Sequence, residues 1–142
     1  MEIHSATEND MTYIFSLLKA TDLTTVGIEN DPSCFYVCTE ETKPVGCFGI
    51  VHSSNGAMLR SFAVEPGKQS RGIGRFMAMW SLEHARKKKI LPLYLLTETA
   101  HMFFRKFGFV EVTRKDIPDV IMDATALGEY CPCTSICMRI DR

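Results

Sequence analysis

"KQSRGIGRF", residues 68–76, gathers two glycines and three basic side chains at a point where the backbone pattern changes. Upstream, "AMLRSFAV" (57–64) alternates as a strand does. Downstream, Ile73, Phe76, Met77, Trp80 and His84 recur at helical spacing, which predicts a helix from Gly72 to about Lys88. A glycine loop joining a strand to a helix suits an anion, because the unpaired amides of the first helical turn and the helix dipole point outward together. Side chains at 72 and 74 would keep a phosphate away from those amides, and Lys68, Arg71 and Arg75 add positive charge.

Two familiar phosphate loops do not fit. A Walker A loop needs Gly-Lys-Ser/Thr after a four-residue gap from an earlier glycine, but Gly67-Lys68 is followed by Gln69, and Phe62 holds the earlier position. A dinucleotide fingerprint needs a third glycine where Met77 stands, and no βαβ unit begins the chain.

Around the loop the chain reads as alternating short elements. "EIHSAT" is a strand, and Met11, Ile14, Leu17 and Leu18 mark a helix. Residues 21–33 are rich in Thr, Gly, Asn, Asp and Pro, a loop or short helix. "CFYVCTE" and "VGCFGIVHS" form a hairpin around "ETKPVG", and "SNG" (54–56) turns into the strand 57–64. "ILPLYLLT" (90–97) is nearly continuous apolar sequence, a central strand covered on both faces. A short helix ends at Gly108, "FVEVTR" is a strand, a turn of helix lies near Pro118, and "SICMRI" closes the sheet. This order predicts a mixed sheet with helices on both faces.

Composition narrows the function classes. The 142 residues suit one domain, with 46% hydrophobic and 23% charged residues and a formal net charge of −1. That balance excludes a general nucleic-acid binder, and the basic run 86–89 is expected at a helix end. No apolar stretch reaches the length of a membrane span, and the first residues show no export pattern, so a cytoplasmic protein with six reduced cysteines is expected. Cys38 and Cys47 read as core residues. Cys131, Cys133 and Cys137 offer three soft ligands, yet strand alternation and the lack of a nearby histidine favour incidental thiols and no metal.

Gln69-x-x-Gly72-x-Gly74 resembles the Q/R-x-x-G-x-G/A segment of GCN5-related N-acetyltransferases, the GNAT superfamily. The resemblance extends through "LRSFAVEP" (59–66) and "LLTETAHMFFRKFGF" (95–109), covering residues 57–110. The tail, 108–140, is similar to the acetyltransferase domain of N-acetylglutamate synthases and to arsenic-resistance-associated N-acetyltransferases. The resemblance implies an α/β (α+β) fold, with a mostly antiparallel sheet splayed between its two central strands. It also implies acetyl-CoA as cofactor and transfer of acetyl to the amine of a small molecule, expected to be an amino acid or a similar compound. A noncatalytic acyl-CoA sensor and a protein N-acetyltransferase are the competing functions, and a homodimer is compatible with either.

Carried over residue by residue, the cofactor contacts are Phe62 and Val64 on the strand, Gln69, Ser70, Arg71, Gly72, Ile73, Gly74 and Arg75 in the loop, and Thr97 and Phe104 beyond it. The Val64 N–H is the expected oxyanion donor. The tyrosine that many members use as an acid is replaced by Phe104, and their frequent asparagine by Thr97, so Tyr130 is the alternative proton donor. Glu98 is the nearest carboxylate for a general base, with a water chain as the alternative. Glu65 and His101 read as surface residues, and Tyr94 as core. Arg60 is expensive to bury unpaired. It either forms an ion pair with a distant carboxylate or opens into the acceptor cleft to grip a substrate carboxylate, with Arg114 as a second candidate.

Overall fold

The computed structural model describes residues 1–28, 32–125 and 135–142. Its strands are β1 (Glu2–Ser5), β2 (Phe35–Glu40), β3 (Lys43–Ser53), β4 (Gly56–Val64), β5 (Leu93–Thr97), β6 (Val110–Val112) and β7 (Ile136–Ile140). Its α-helices are α1 (Met11–Ala20), α2 (Ile73–Lys88), α3 (His101–Arg105) and α4 (Asp119–Thr125). The strands form one seven-stranded sheet in the order β1-β2-β3-β4-β5-β7-β6. Every neighbouring pair is antiparallel except β4 and β5, which run parallel because α2 crosses between them.

Periodicity decides which side of the sheet each helix covers. On α2, Ile73, Met77, Leu82 and Ala85 pack with Phe48, Leu59, Leu93 and Leu95, and Phe104 of α3 joins the same cluster. On the opposite face, Ile14, Leu17 and Leu18 of α1 pack against Phe35, Val37 and Ala63. Ile121 of α4 packs there against Met58, Tyr94 and Cys137. β5 is therefore covered on both sides, Leu93 and Leu95 facing α2 and Tyr94 facing α4. The basic run closes α2, with Lys89 in a left-handed conformation as its C-cap.

Three details differ from the sequence reading. The β2–β3 turn is at Glu41 and Thr42, both left-handed as a two-residue hairpin turn requires, so Pro44 lies inside β3. β5 begins only at Leu93, after a cis Leu91-Pro92 bond. The third bears on function. Cys47 pairs with Ala63 and Gly49 with Arg60, so Ser61 and Phe62 together oppose the single residue Phe48. Ser61 is left-handed, with φ 55°, and β4 contains a bulge.

The bulge resets the alternation of β4. Leu59 and Phe62 share the α2 face, whereas Met58 and Ala63 belong to the clusters beneath α4 and α1. The expected grouping of Met58, Arg60 and Phe62 on one side is thus broken between Arg60 and Phe62. Bending also ends the pairing with β5, which covers only Ala57–Leu93 and Met58–Tyr94. Beyond those pairs the two central strands diverge, while β4 stays bonded to β3 and β5 to β7.

Two expectations follow from this packing. A Cβ on Gly46 would lie 2.9 Å from the Ala63 carbonyl oxygen and 2.8 Å from the Met77 sulfur. Gly46→Ala should lower stability by about 1–3 kcal/mol, read as a lower denaturant midpoint at constant m. His84, stacked on Trp80 with ring centroids 4.8 Å apart and 3.3 Å from the Tyr36 hydroxyl, has its pKa lowered by burial and then by the charges of Lys88 and His52. The fold favours the neutral ring, so stability is held above the unfolded histidine value of about 6.5 and falls as pH drops through the lower folded value. His84→Gln should flatten that part of the stability–pH curve, and an unchanged slope would remove His84 as its source.

Candidate functional site

Divergence of β4 from β5 exposes one edge of β4. The Glu65 amide donates to the Val45 carbonyl on the β3 side at 2.9 Å. Alternation along an extended strand then directs the N–H and C=O of Val64 toward the gap. Gln69 reaches back to this edge, its Nε2 donating to the Val64 carbonyl at 3.4 Å.

The loop from Glu65 to Gly72 is wound by left-handed residues at Gly67, Ser70 and Gly72. Gly72 is the N-cap of α2, with φ 85°, no capping side chain and open space where a Cβ would stand. No acidic residue occupies the first turn of α2, so its free amides face outward without a competing negative charge. Gly74 serves differently. A Cβ there would stand 3.4 Å from the Phe103 ring and 3.7 Å from the Val64 side chain, at the narrow point between α2, β4 and α3.

These elements enclose a cleft of about 1170 Å³. Phe62, Val64, Gln69, Ser70, Gly72, Gly74 and Arg75, all read from the sequence as cofactor contacts, line the cleft. Thr97, Glu98 and Phe104 also line it, from the β5 side. Thr97 accepts a hydrogen bond from the Ala100 amide at 2.9 Å and shapes the turn into α3. Phe104 is buried edge-on against Phe62, Phe103 and Phe109, so an aromatic wall stands where the resemblance implies an acid.

Other expected residues lie elsewhere. Arg71 is not among the cleft residues and lies 3.5 Å from the Glu40 carboxylate of β2. The Ile73 side chain is in the core, which leaves only its backbone to face a ligand. Arg114, in the 3₁₀ turn Arg114–Asp116, lies near the Cys137 thiol and is not among the cleft residues. Burial nonetheless raises the Cys137 pKa. Tyr130, Cys131 and Cys133 lie outside the described residues. Among the described residues no cluster of metal ligands occurs.

Arg60 lines the cleft but is only 5% exposed. Its Nη1 donates to the Thr125 carbonyl at 3.0 Å, its Nη2 to the Val26 carbonyl at 2.6 Å and its Nε to the Ser61 hydroxyl at 3.1 Å. The guanidinium is therefore engaged by the protein and is not an open fork facing the acceptor. Glu65 is also not a surface residue. It is half-buried and accepts the Tyr13 hydroxyl at 2.6 Å, and burial together with this carboxylate raises the tyrosine pKa. His101 is half-buried as well, with Nδ1 enclosed and no hydrogen-bond partner among the described residues.

Sequence reasoning missed the opposite wall. Thr21, Asp22, Leu23 and Thr24, just after α1, line the cleft, as do Phe103, Lys106 and Ser135. The polar composition of 21–33 marked a loop but carried no sign of what it would face.

Among solved structures, N-acetylglutamate synthase from Neisseria gonorrhoeae, complexed with coenzyme A and N-acetyl-glutamate, matches with a TM-score of 0.83 at 19% identity, over 99% of this chain and 35% of its own. This chain thus spans about a third of the length of that synthase. Rv2747 from Mycobacterium tuberculosis, in complex with CoA, matches at 0.78 and 20% identity over 100% of this chain and 99% of its own. Ard1 from Thermoplasma volcanium matches at 0.75 and 20% identity, over 99% and 96%. Residues 31–111, more than half of the sequence, match the family described as an acetyltransferase (GNAT) domain, and the chain belongs to the GNAT acetyltransferases.

Proposed function

We propose that the protein is an acetyl-CoA-dependent N-acetyltransferase whose acceptor is the amine of a small molecule, an amino acid or a compound like one. The observation that carries this reading is the free edge of β4 at Val64, opening into a cleft that also holds the glycine loop. Acetyl-CoA is the acyl donor, its diphosphate taken by the amides at Gly72, Ile73 and Gly74, with Ser70 and Arg75 beside them. The donor's pantetheine arm runs along the edge at Phe62 and Val64. Similarity to a synthase solved with N-acetyl-glutamate supports an amino-acid-like acceptor.

The chemistry is attack of a neutral amine on the thioester carbonyl carbon. The C–N bond forms, the C–S bond breaks, the amine proton goes to a base and the thiolate leaves. The Val64 N–H faces the oxygen on which charge develops. Glu98, exposed at the cleft rim after β5, takes the amine proton. Phe104 has no proton to give the thiolate, so water or Tyr130 supplies it. Binding both substrates in line supplies much of the rate. The same Phe104 favours a second reading, a sensor that binds acyl-CoA without turnover. Detection of acetylated amine by mass spectrometry separates the two.

Acetyl-CoA should raise the melting temperature of the wild type, and Gly72→Val and Gly74→Val should lose that shift while remaining folded. Normal shifts in both variants would remove the anion loop from the reading. Glu98→Gln should lower kcat by about a hundredfold with the acetyl-CoA shift intact. A loss smaller than about threefold would assign the proton to water.

A further inference from the structure

Arg60 is the only buried charged side chain among the described residues. Removing a guanidinium from water is costly unless its donors find partners. Its donors reach three separate segments among the described residues: Ser61 in the bulge of β4, Val26 in the loop after α1, and Thr125 at the end of α4. The guanidinium carbon also lies 5.9 Å from the centre of the Phe35 ring.

A second observation comes from Gly27. It is left-handed, with φ 76°, and a Cβ there would lie 3.1 Å from the Thr125 carbonyl oxygen and 3.4 Å from Arg60 Nη1. The loop therefore closes on the arginine and on α4 through a residue without a side chain. A third is the position of Thr21–Thr24. They belong to this loop and line the cleft together with Arg60 and Ser61.

We propose that Arg60 is a positioning residue for the acceptor, a latch that holds the loop 21–28 against β4 and α4 and so fixes the wall that the amine meets. The latch acts through the carbonyls of Val26 and Thr125. Its role toward an acceptor rests on the acetyltransferase reading above, whereas the latch itself does not. Lysine carries one ammonium where arginine has a planar fork, so it cannot serve both carbonyls with the same geometry.

The test uses the full chain with Arg60→Lys and, as a second variant that changes no donor, Gly27→Ala. Amide hydrogen exchange in residues 21–28 should accelerate by about tenfold or more in both. Acetyl-CoA affinity should stay within about twofold, while acceptor KM rises about tenfold with a smaller change in kcat. The acceptor probes are the standard amino acids and their decarboxylated amines. The KM factor should be the same with and without the carboxylate, and the double variant should add little, since both changes release one latch. Unchanged exchange would overturn the latch. A KM effect confined to carboxylate-bearing acceptors would overturn positioning in favour of direct contact. Faster exchange with unchanged KM would separate the loop from the acceptor and overturn the proposed role. If the wild type acetylates none of the probes, the acceptor assignment fails together with the positioning role, while exchange still decides the latch.

Discussion

One extra residue in β4 governs much of the cleft. Ser61 and Phe62 stand opposite Phe48, and the left-handed Ser61 turns the strand away from β5 after two paired residues. A strand edge in the middle of a sheet leaves amides and carbonyls without partners, a condition that folded proteins rarely tolerate unless something else occupies the edge. Here Gln69 takes the Val64 carbonyl, and the glycine loop turns the chain so that α2 begins at the mouth of the gap. The bulge, the loop and the helix start are thus coupled features of one opening.

The same bulge sends Arg60 and Phe62 to opposite faces. Phe62 joins the aromatic wall with Phe103 and Phe104 on the α2 side. Arg60 goes beneath the loop after α1, where carbonyls receive it. An apolar surface and a polar anchor therefore come from neighbouring positions of one strand. This division gives the cleft one side suited to an extended apolar arm and another built from polar loop residues.

Local signals were the legible ones. The helical recurrence from Ile73 to His84, the apolar run of β5 and the glycines at 72 and 74 each depend on residues close in sequence, and each located its element. The placing of Phe62 beside Arg60 was misjudged because it depends on the register between β3 and β4, which an alternation count along one strand cannot contain. Arg71 meets Glu40 of β2, a partner thirty-one positions earlier that no local motif announces. The wall at Thr21–Thr24 is brought to β4 by packing of α1 on the sheet, a long-range result with no local motif. Glu65 likewise acquires its partner from Tyr13, fifty-two positions earlier.

The short β4–β5 ladder has a mechanical consequence. It divides the sheet into two plates, β1 to β4 and β5 to β7, fastened at one end by two residue pairs and bridged by the core beneath α2. Relative motion of the plates is cheapest at the open end, where no ladder bonds resist it. A molecule that hydrogen-bonds the Val64 edge and packs against Phe103 acts there as a wedge and a splint together. Occupancy of the gap and rigidity of the sheet are then one variable.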